Sequence, residues 1–123
     1  FNNLQLIEPV LQALTQEGYT NPTPIQEKSI PVILQKRDLL GCAQTGTGKT
    51  AAFTIPVLQL IHESKLANKS SQPRFQALIL TPTRELAIQI GESINDYGKN
   101  TTLTNAVIYG GVSQVEQVKK LRK

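Results

Sequence analysis

An α/β fold built on a parallel sheet is the architecture that this sequence predicts, and three observations lead to it. Short apolar runs alternate with stretches of helical periodicity along the chain, the pattern of crossover units that join parallel strands. Between the first such run and the helix after it lies the glycine-containing turn Ala43-Gln44-Thr45-Gly46-Thr47-Gly48-Lys49-Thr50. The chain's 123 residues, 39% of them hydrophobic, suit one small domain with a core of its own.

The elements follow in order. Glu8 to Glu17 reads as a helix, with Pro9 in its first turn, Val10, Leu11 and Leu14 on one apolar face, and Gly18 ending it. A proline-rich turn, Tyr19 to Pro24, leads to a second helical stretch capped by Thr23 and opened by Pro24. Pro31 removes an amide donor and crowds the preceding turn, so two short helices are expected across 24–36. Asp38-Leu39-Leu40-Gly41-Cys42 reads as a short buried strand, with Cys42 a small hydrophobe at its end. A helix follows from about 49 to 62, bent at Pro56. Residues 62–74 form a polar connector, mobile at least in part. Phe75 to Thr81 is a second strand, with Ala77-Leu78-Ile79-Leu80 as its buried run. The helix from Arg84 to Tyr97 presents Leu86, Ile90 and Ile94 inward. Leu103 to Tyr109 is a third strand, and a helix from Ser113 to Arg122 follows. No internal repeat is present.

Composition excludes several classes. No apolar run is long enough to span a membrane, and no basic region followed by an apolar stretch marks a secretory signal. A lone cysteine rules out a disulfide framework within this chain and suits a reducing, cytoplasmic setting. Asn68-Lys69-Ser70 and Asn100-Thr101-Thr102 match the glycosylation pattern but read as ordinary loop residues. His62 has no histidine or cysteine partner at ligand spacing, which argues against a metal. Residues 1–98 are balanced in charge, so the whole excess of +4 falls in 99–123, on Lys99, Lys119, Lys120, Arg122 and Lys123 against Glu116. Such a run is first a solvated helix face, with a polyanion contact as the alternative.

The turn at 43–50 carries the chemistry. Gly48-Lys49-Thr50 fits the end of the phosphate-binding pattern, while Ala43 stands where a first glycine is usual. Gly46 and Gly48 let several amides converge, and the helix beginning near Lys49 adds its positive end. Lys49 is placed to reach the β and γ phosphates of a nucleoside triphosphate, and the Thr50 hydroxyl to ligate magnesium, which makes them the candidate catalytic pair. A plain glycine turn does not require Lys and Thr at the helix start. The dinucleotide fingerprint is matched formally by Gly46, Gly48 and Ala51, but it leaves Lys49-Thr50 unexplained, and only Ser70 and Ser71 lie near where its ribose-binding acid belongs.

Two further clusters flank the loop: Gly18-Tyr19-Thr20-Asn21-Pro22-Thr23-Pro24-Ile25-Gln26 before it and Pro82-Thr83-Arg84-Glu85-Leu86-Ala87 after it. In this order the three resemble the Q motif, motif I and motif Ia of the DEAD-box family of ATP-dependent RNA helicases. Ala43 is usual in that family. Gly110-Gly111 stands at its Gly-Gly motif, and Phe1 at its isolated upstream aromatic, seventeen residues before Gly18. The resemblance covers nearly the whole chain and implies a RecA-like, three-layer P-loop fold, here incomplete. Its segments are 1–26 with the Q motif, 38–62 with the loop, and 75–123 with motif Ia and the Gly-Gly pair.

The resemblance implies an ATP site made of Phe1, Tyr19, Gln26, Ala43, Gln44, Thr45, Gly46, Thr47, Gly48, Lys49, Thr50 and Ala51, with magnesium at Thr50. A glutamine amide matches the donor and acceptor that adenine presents side by side, which lets Gln26 select adenine over guanine. Thr23 and Gln26 also match a capping box; both roles are compatible if Thr23 caps while Gln26 turns outward. Phe1 and Tyr19 either pack on the base or belong to the core. Contacts to an RNA sugar–phosphate backbone are implied at Pro82, Thr83, Arg84, Gly110 and Gly111, independent of base sequence and sensitive to salt.

Hydrolysis also needs an acid that organises magnesium and water. Asp38 precedes its apolar run and Asp96 lies late in a helix, so neither fits. The family's Asp-Glu-Ala-Asp and Ser-Ala-Thr motifs and its second RecA-like domain, which completes the ATP site and the RNA groove, are not in these residues. In the family topology the three strands here would lack their central neighbours. The expected function is therefore the ATP-binding part of an RNA helicase, inactive alone. The alternatives are a DNA helicase or other P-loop ATPase, and a non-catalytic nucleotide-binding module.

Overall fold

The computed structural model describes residues 1–44, 46, 48–67 and 75–122, with the side chains of residues 67 and 122 left out. Thr45, Thr47, Lys123 and most of the polar connector, residues 68–74, lie outside the described residues. Among the described residues five α-helices follow in order: α1 (Glu8–Gln16), α2 (Pro24–Leu34), α3 (Lys49–Ala67), α4 (Arg84–Tyr97) and α5 (Gln114–Arg122). A single 3₁₀ turn, Asn2–Leu4, precedes α1.

Local signals set most helix ends. Pro9 stands in the first turn of α1, where its missing amide costs nothing. The helix closes on Gly18, whose N–H donates to Thr15 O while the Tyr19 N–H donates to Leu14 O, a Schellman closure. Helix α2 ends the same way, with Lys36 N–H on Ile33 O and Arg37 N–H on Val32 O, but Lys36 rather than glycine holds the left-handed position at φ 61°. Lys36→Gly is therefore expected to stabilise the fold by about 1 kcal/mol, read as a raised denaturation midpoint with an unchanged slope.

Pro31 does not divide α2, as the sequence suggested; Pro24–Leu34 is one helix with Pro31 inside it. Ile30, next to it, is fully buried, and α2 makes its most extensive contact with α3. Packing thus outweighs the local cost of the proline. Helix α3 likewise runs unbroken through buried Pro56 and extends to Ala67, beyond the expected end.

The core lies around α3. Its apolar residues are spread around the helix rather than confined to one stripe, as suits an element covered on several sides. Ala51, Ile55 and Leu58 of α3 cluster with Leu4, Leu6, Val10, Leu14, Ile30 and Tyr97. Each fully buried aliphatic side chain contributes about 1.5–3 kcal/mol. Buried Gln59 fixes the chain before α1: its Oε1 accepts from Ile7 N–H at 2.8 Å and its Nε2 donates to Gln5 O at 3.1 Å.

Helix α1 rests on α4. The Tyr19 and Tyr97 rings meet edge to face at 6.0 Å, Lys99 pairs with Glu17 at 2.8 Å, and Asn100 Nδ2 donates to Pro9 O at 3.2 Å. Burial above all, then a hydrogen bond with Tyr19 and the charges of Asp96 and Glu17, pushes the Tyr97 phenol far up, so it stays neutral.

Among the described residues no β-strand is formed, and the segments read as strands, 38–42, 75–81 and 103–109, are non-helical and unpaired as ladders. Their burial also differs from expectation. Leu40 is 91% exposed, Leu78 84% and Leu80 86%, and Cys42 is exposed rather than buried. A strand is stabilised by the ladder beside it, and no such neighbour is present among the described residues. Contact between α4 and the third segment is nevertheless close: a Cβ on Gly91 would meet Val107 Cγ2 at 2.5 Å.

Candidate functional site

Two constellations emerge on opposite sides of the sequence's midpoint. The first joins the start of α2 to the start of α3. Gly48 carries φ 84°, and its carbonyl accepts two hydrogen bonds, one from Ala52 N–H at 3.1 Å, which opens α3, and one from Gln26 Nε2 at 3.2 Å. Gln26 Oε1 also accepts from Thr23 N–H at 3.0 Å. The amide thus caps α2 and grips the N-terminus of α3 at once. Gln26 is only 3% exposed, so it points inward rather than outward in this structure. The Thr23 hydroxyl sits in the reciprocal capping position, yet it is buried without a hydrogen bond of full geometry.

Positive φ at Gly46 (83°) and Gly48 (84°) shapes the described part of the loop. Lys49 is exposed, and its Nζ donates to Ala43 O at 2.6 Å, bracing the loop across its mouth. Thr50 is half-buried in the first turn of α3, where its carbonyl accepts from Thr54 Oγ1 at 2.7 Å. Ala51 belongs to the core, so the helix start is seated on apolar packing. Gln44 is exposed. Phe1 packs against the core cluster, whereas Tyr19 is exposed and meets the Tyr97 ring edge to face. Among the described residues no group of three or more His, Cys, Asp or Glu is placed to hold a metal ion.

The second constellation joins the start of α4 to the turn after the third non-helical segment. Thr83 caps α4 by accepting from Leu86 N–H at 3.2 Å. Arg84 then reaches across to Gly110, donating from Nη2 to its carbonyl at 2.7 Å, while its guanidinium lies 5.0 Å from the centroid of the Tyr109 ring. Gly111 has φ 82°, and a Cβ there would meet Arg84 Nη2 at 2.5 Å. Between these parts is an open groove of about 390 Å³, lined among others by Pro82, Thr83, Arg84, Tyr109 and Gly110. The five residues expected to contact a phosphate backbone are thereby brought together. Tyr109 and Gln117, which shape this turn, carried no signal in the sequence.

Among the described residues no helix is long and apolar enough to cross a membrane. The model of the DEAD/DEAH box helicase family matches residues 23–123. The DEAD-box ATP-dependent RNA helicase RhpA of Helicobacter pylori (strain B128) is 45% identical over the whole chain, which spans 23% of that relative's length. Among solved structures, a DEAD box protein from the hyperthermophile Methanococcus jannaschii superposes with a TM-score of 0.82 at 38% identity, covering 99% of this chain and 32% of that one. The RNA-helicase Prp28 from Chaetomium thermophilum bound to ADP superposes with a TM-score of 0.82 at 43% identity, covering 99% and 29%. With the three motifs in order, the loop gripped by Gln26 and Arg84 latched to Gly110, these matches establish that the chain belongs to the DEAD/DEAH box helicase family.

Proposed function

We propose that this chain is the adenine- and phosphate-binding part of the first RecA-like domain of an ATP-dependent RNA helicase. The observation that carries this reading is the shared carbonyl of Gly48, which ties the adenine-matching amide of Gln26 to the first turn of the phosphate-loop helix. In the capping arrangement Gln26 uses one amide hydrogen and one lone-pair direction; turned outward from its buried position, the amide would present the donor and acceptor that adenine N7 and N6 require. Phosphates would lie over the N-terminus of α3, held by loop amides and Lys49. The Thr50 hydroxyl would supply one oxygen ligand to magnesium, and the ion would neutralise charge on the phosphate oxygens.

RNA would pass over Pro82, Thr83, Arg84 and the Gly110-Gly111 turn, bound through its backbone. In the whole protein, strands from elsewhere would complete a parallel sheet with 38–42, 75–81 and 103–109, covering the apolar residues now exposed. That same part would supply the magnesium-organising acid, and a second RecA-like domain would close on ATP and single-stranded RNA, bending the strand and unwinding a short duplex locally. A cytoplasmic location agrees with the exposed thiol of Cys42.

The test is ATP turnover by the full-length protein alone, with single-stranded RNA and with DNA of matching sequence. RNA is expected to raise kcat/KM for ATP at least about tenfold, and DNA not to. Equal stimulation by DNA would instead assign the DNA-helicase reading, and no stimulation by either would overturn nucleic-acid coupling altogether.

A further inference from the structure

We infer that Gln117 is a positioning residue for the RNA contact, holding the Tyr109–Gly111 turn so that Arg84 is presented correctly. Gln117 Oε1 accepts from Tyr109 N–H at 2.8 Å, and its Nε2 donates to Tyr109 O at 3.2 Å. One side-chain amide thus satisfies both backbone groups of one residue, as a neighbouring strand would. Gln117 is the only residue of α5 with a described side chain that is not exposed. The apolar residues Val115, Val118 and Leu121 of that helix are all exposed, so hydrophobic burial does not fix α5 against the turn. The amide clasp does.

The consequence runs through the next two residues. Tyr109 places its ring against the Arg84 guanidinium at 5.0 Å, and the Gly110 carbonyl accepts from Arg84 at 2.7 Å. Gly111 leaves the space that Arg84 Nη2 occupies. A turn displaced at Tyr109 would displace all three contacts, and with them the Arg84 guanidinium that lines the groove. Gln117 need not touch RNA for this; it acts through Tyr109. The inference rests on the RNA reading above.

The experiment measures binding of a labelled single-stranded oligoribonucleotide to the full-length protein by anisotropy across a salt series. Gln117→Ala, Gln117→Met, Arg84→Ala and the Gln117→Ala/Arg84→Ala double variant are compared. Gln117→Ala is expected to weaken RNA about tenfold, the size of one lost charge-assisted contact, and to lower the salt slope by about 1. Gln117→Met keeps length and packing but not the hydrogen bonds, so it should lose as much. In the Arg84→Ala background the Gln117 change should add less than about twofold, because the two act on one contact. Equal losses in both backgrounds, rescue by methionine, or unchanged RNA affinity would overturn the positioning role. A parallel, equal fall in ATP affinity would also overturn it, as a general loss of fold. If the unmodified protein fails to bind RNA, the RNA reading itself falls, and this inference with it.

Discussion

Lys49→Ala is expected to reduce ATP turnover by the full-length protein at least about 10²-fold in kcat/KM, at saturating RNA. The reason lies in where the charge stands. Lys49 opens α3, so its ammonium adds to the partial positive charge of the helix end. Both would face phosphates whose negative charge is redistributed in the transition state. The side chain is exposed and braces Ala43 O at 2.6 Å, a contact that it must exchange for phosphate oxygens. Because that brace lies in water, removing it should leave the unfolding midpoint nearly unchanged. The variant therefore separates chemistry from folding. Lys49→Arg should fail almost as badly, since a planar fork replaces a compact point charge. Phosphate release measured with and without RNA, beside a denaturation curve, checks the prediction. Turnover within about tenfold of the unmodified protein would remove Lys49 from the machinery and with it the phosphate-loop reading.

What the sequence showed depended on how local the physical signal was. Helix α4 runs from Arg84 to Tyr97 as expected, because Thr83 supplies a cap and Leu86, Ile90 and Ile94 a face within one element. The bounds of α1 follow from Pro9 and Gly18 in the same way. Pro31 misled, because its cost is local whereas what holds α2 straight is its contact with α3. Apolar runs at 38–42, 75–81 and 103–109 announced strands, but a ladder depends on a neighbour that those residues do not contain. The site was legible as a set of motifs and less so as geometry. Gln26 reads from sequence either as a cap or as an adenine contact. Its bond to Gly48 O spans 22 positions, and no local pattern encodes it. Gln59 and Gln117 were invisible for the same reason: each clasps backbone groups outside its own helix.

Gly48→Ala is expected to destabilise the fold by about 2–4 kcal/mol, well beyond Gly46→Ala. Both glycines have nearly the same backbone, φ 84° and 83°, so each substitution meets the conformational cost of about 1–2 kcal/mol for an L residue. Only their surroundings differ. A Cβ on Gly46 would meet nothing within 4 Å, whereas one on Gly48 would meet the Gln26 Nε2 and the Thr23 Oγ1, the latter at 3.1 Å. Gln26 would have to leave, and Thr23 N–H and Gly48 O would each lose a partner. Gly48 O would keep the Ala52 N–H, but an unpaired Thr23 N–H at a part-buried site adds about 1–3 kcal/mol. Denaturation curves for the two variants therefore isolate the Gln26 clasp by difference. The same pair also separates cap from base recognition in nucleotide binding. Gly46→Ala should weaken ATP and GTP alike, because only the phosphate cradle is disturbed. Gly48→Ala and Gln26→Ala should in addition narrow the preference for ATP over GTP about tenfold, the worth of a paired amide. If both variants lose stability while that preference holds, Gln26 serves the fold as a cap, and adenine must be chosen by residues elsewhere in the protein.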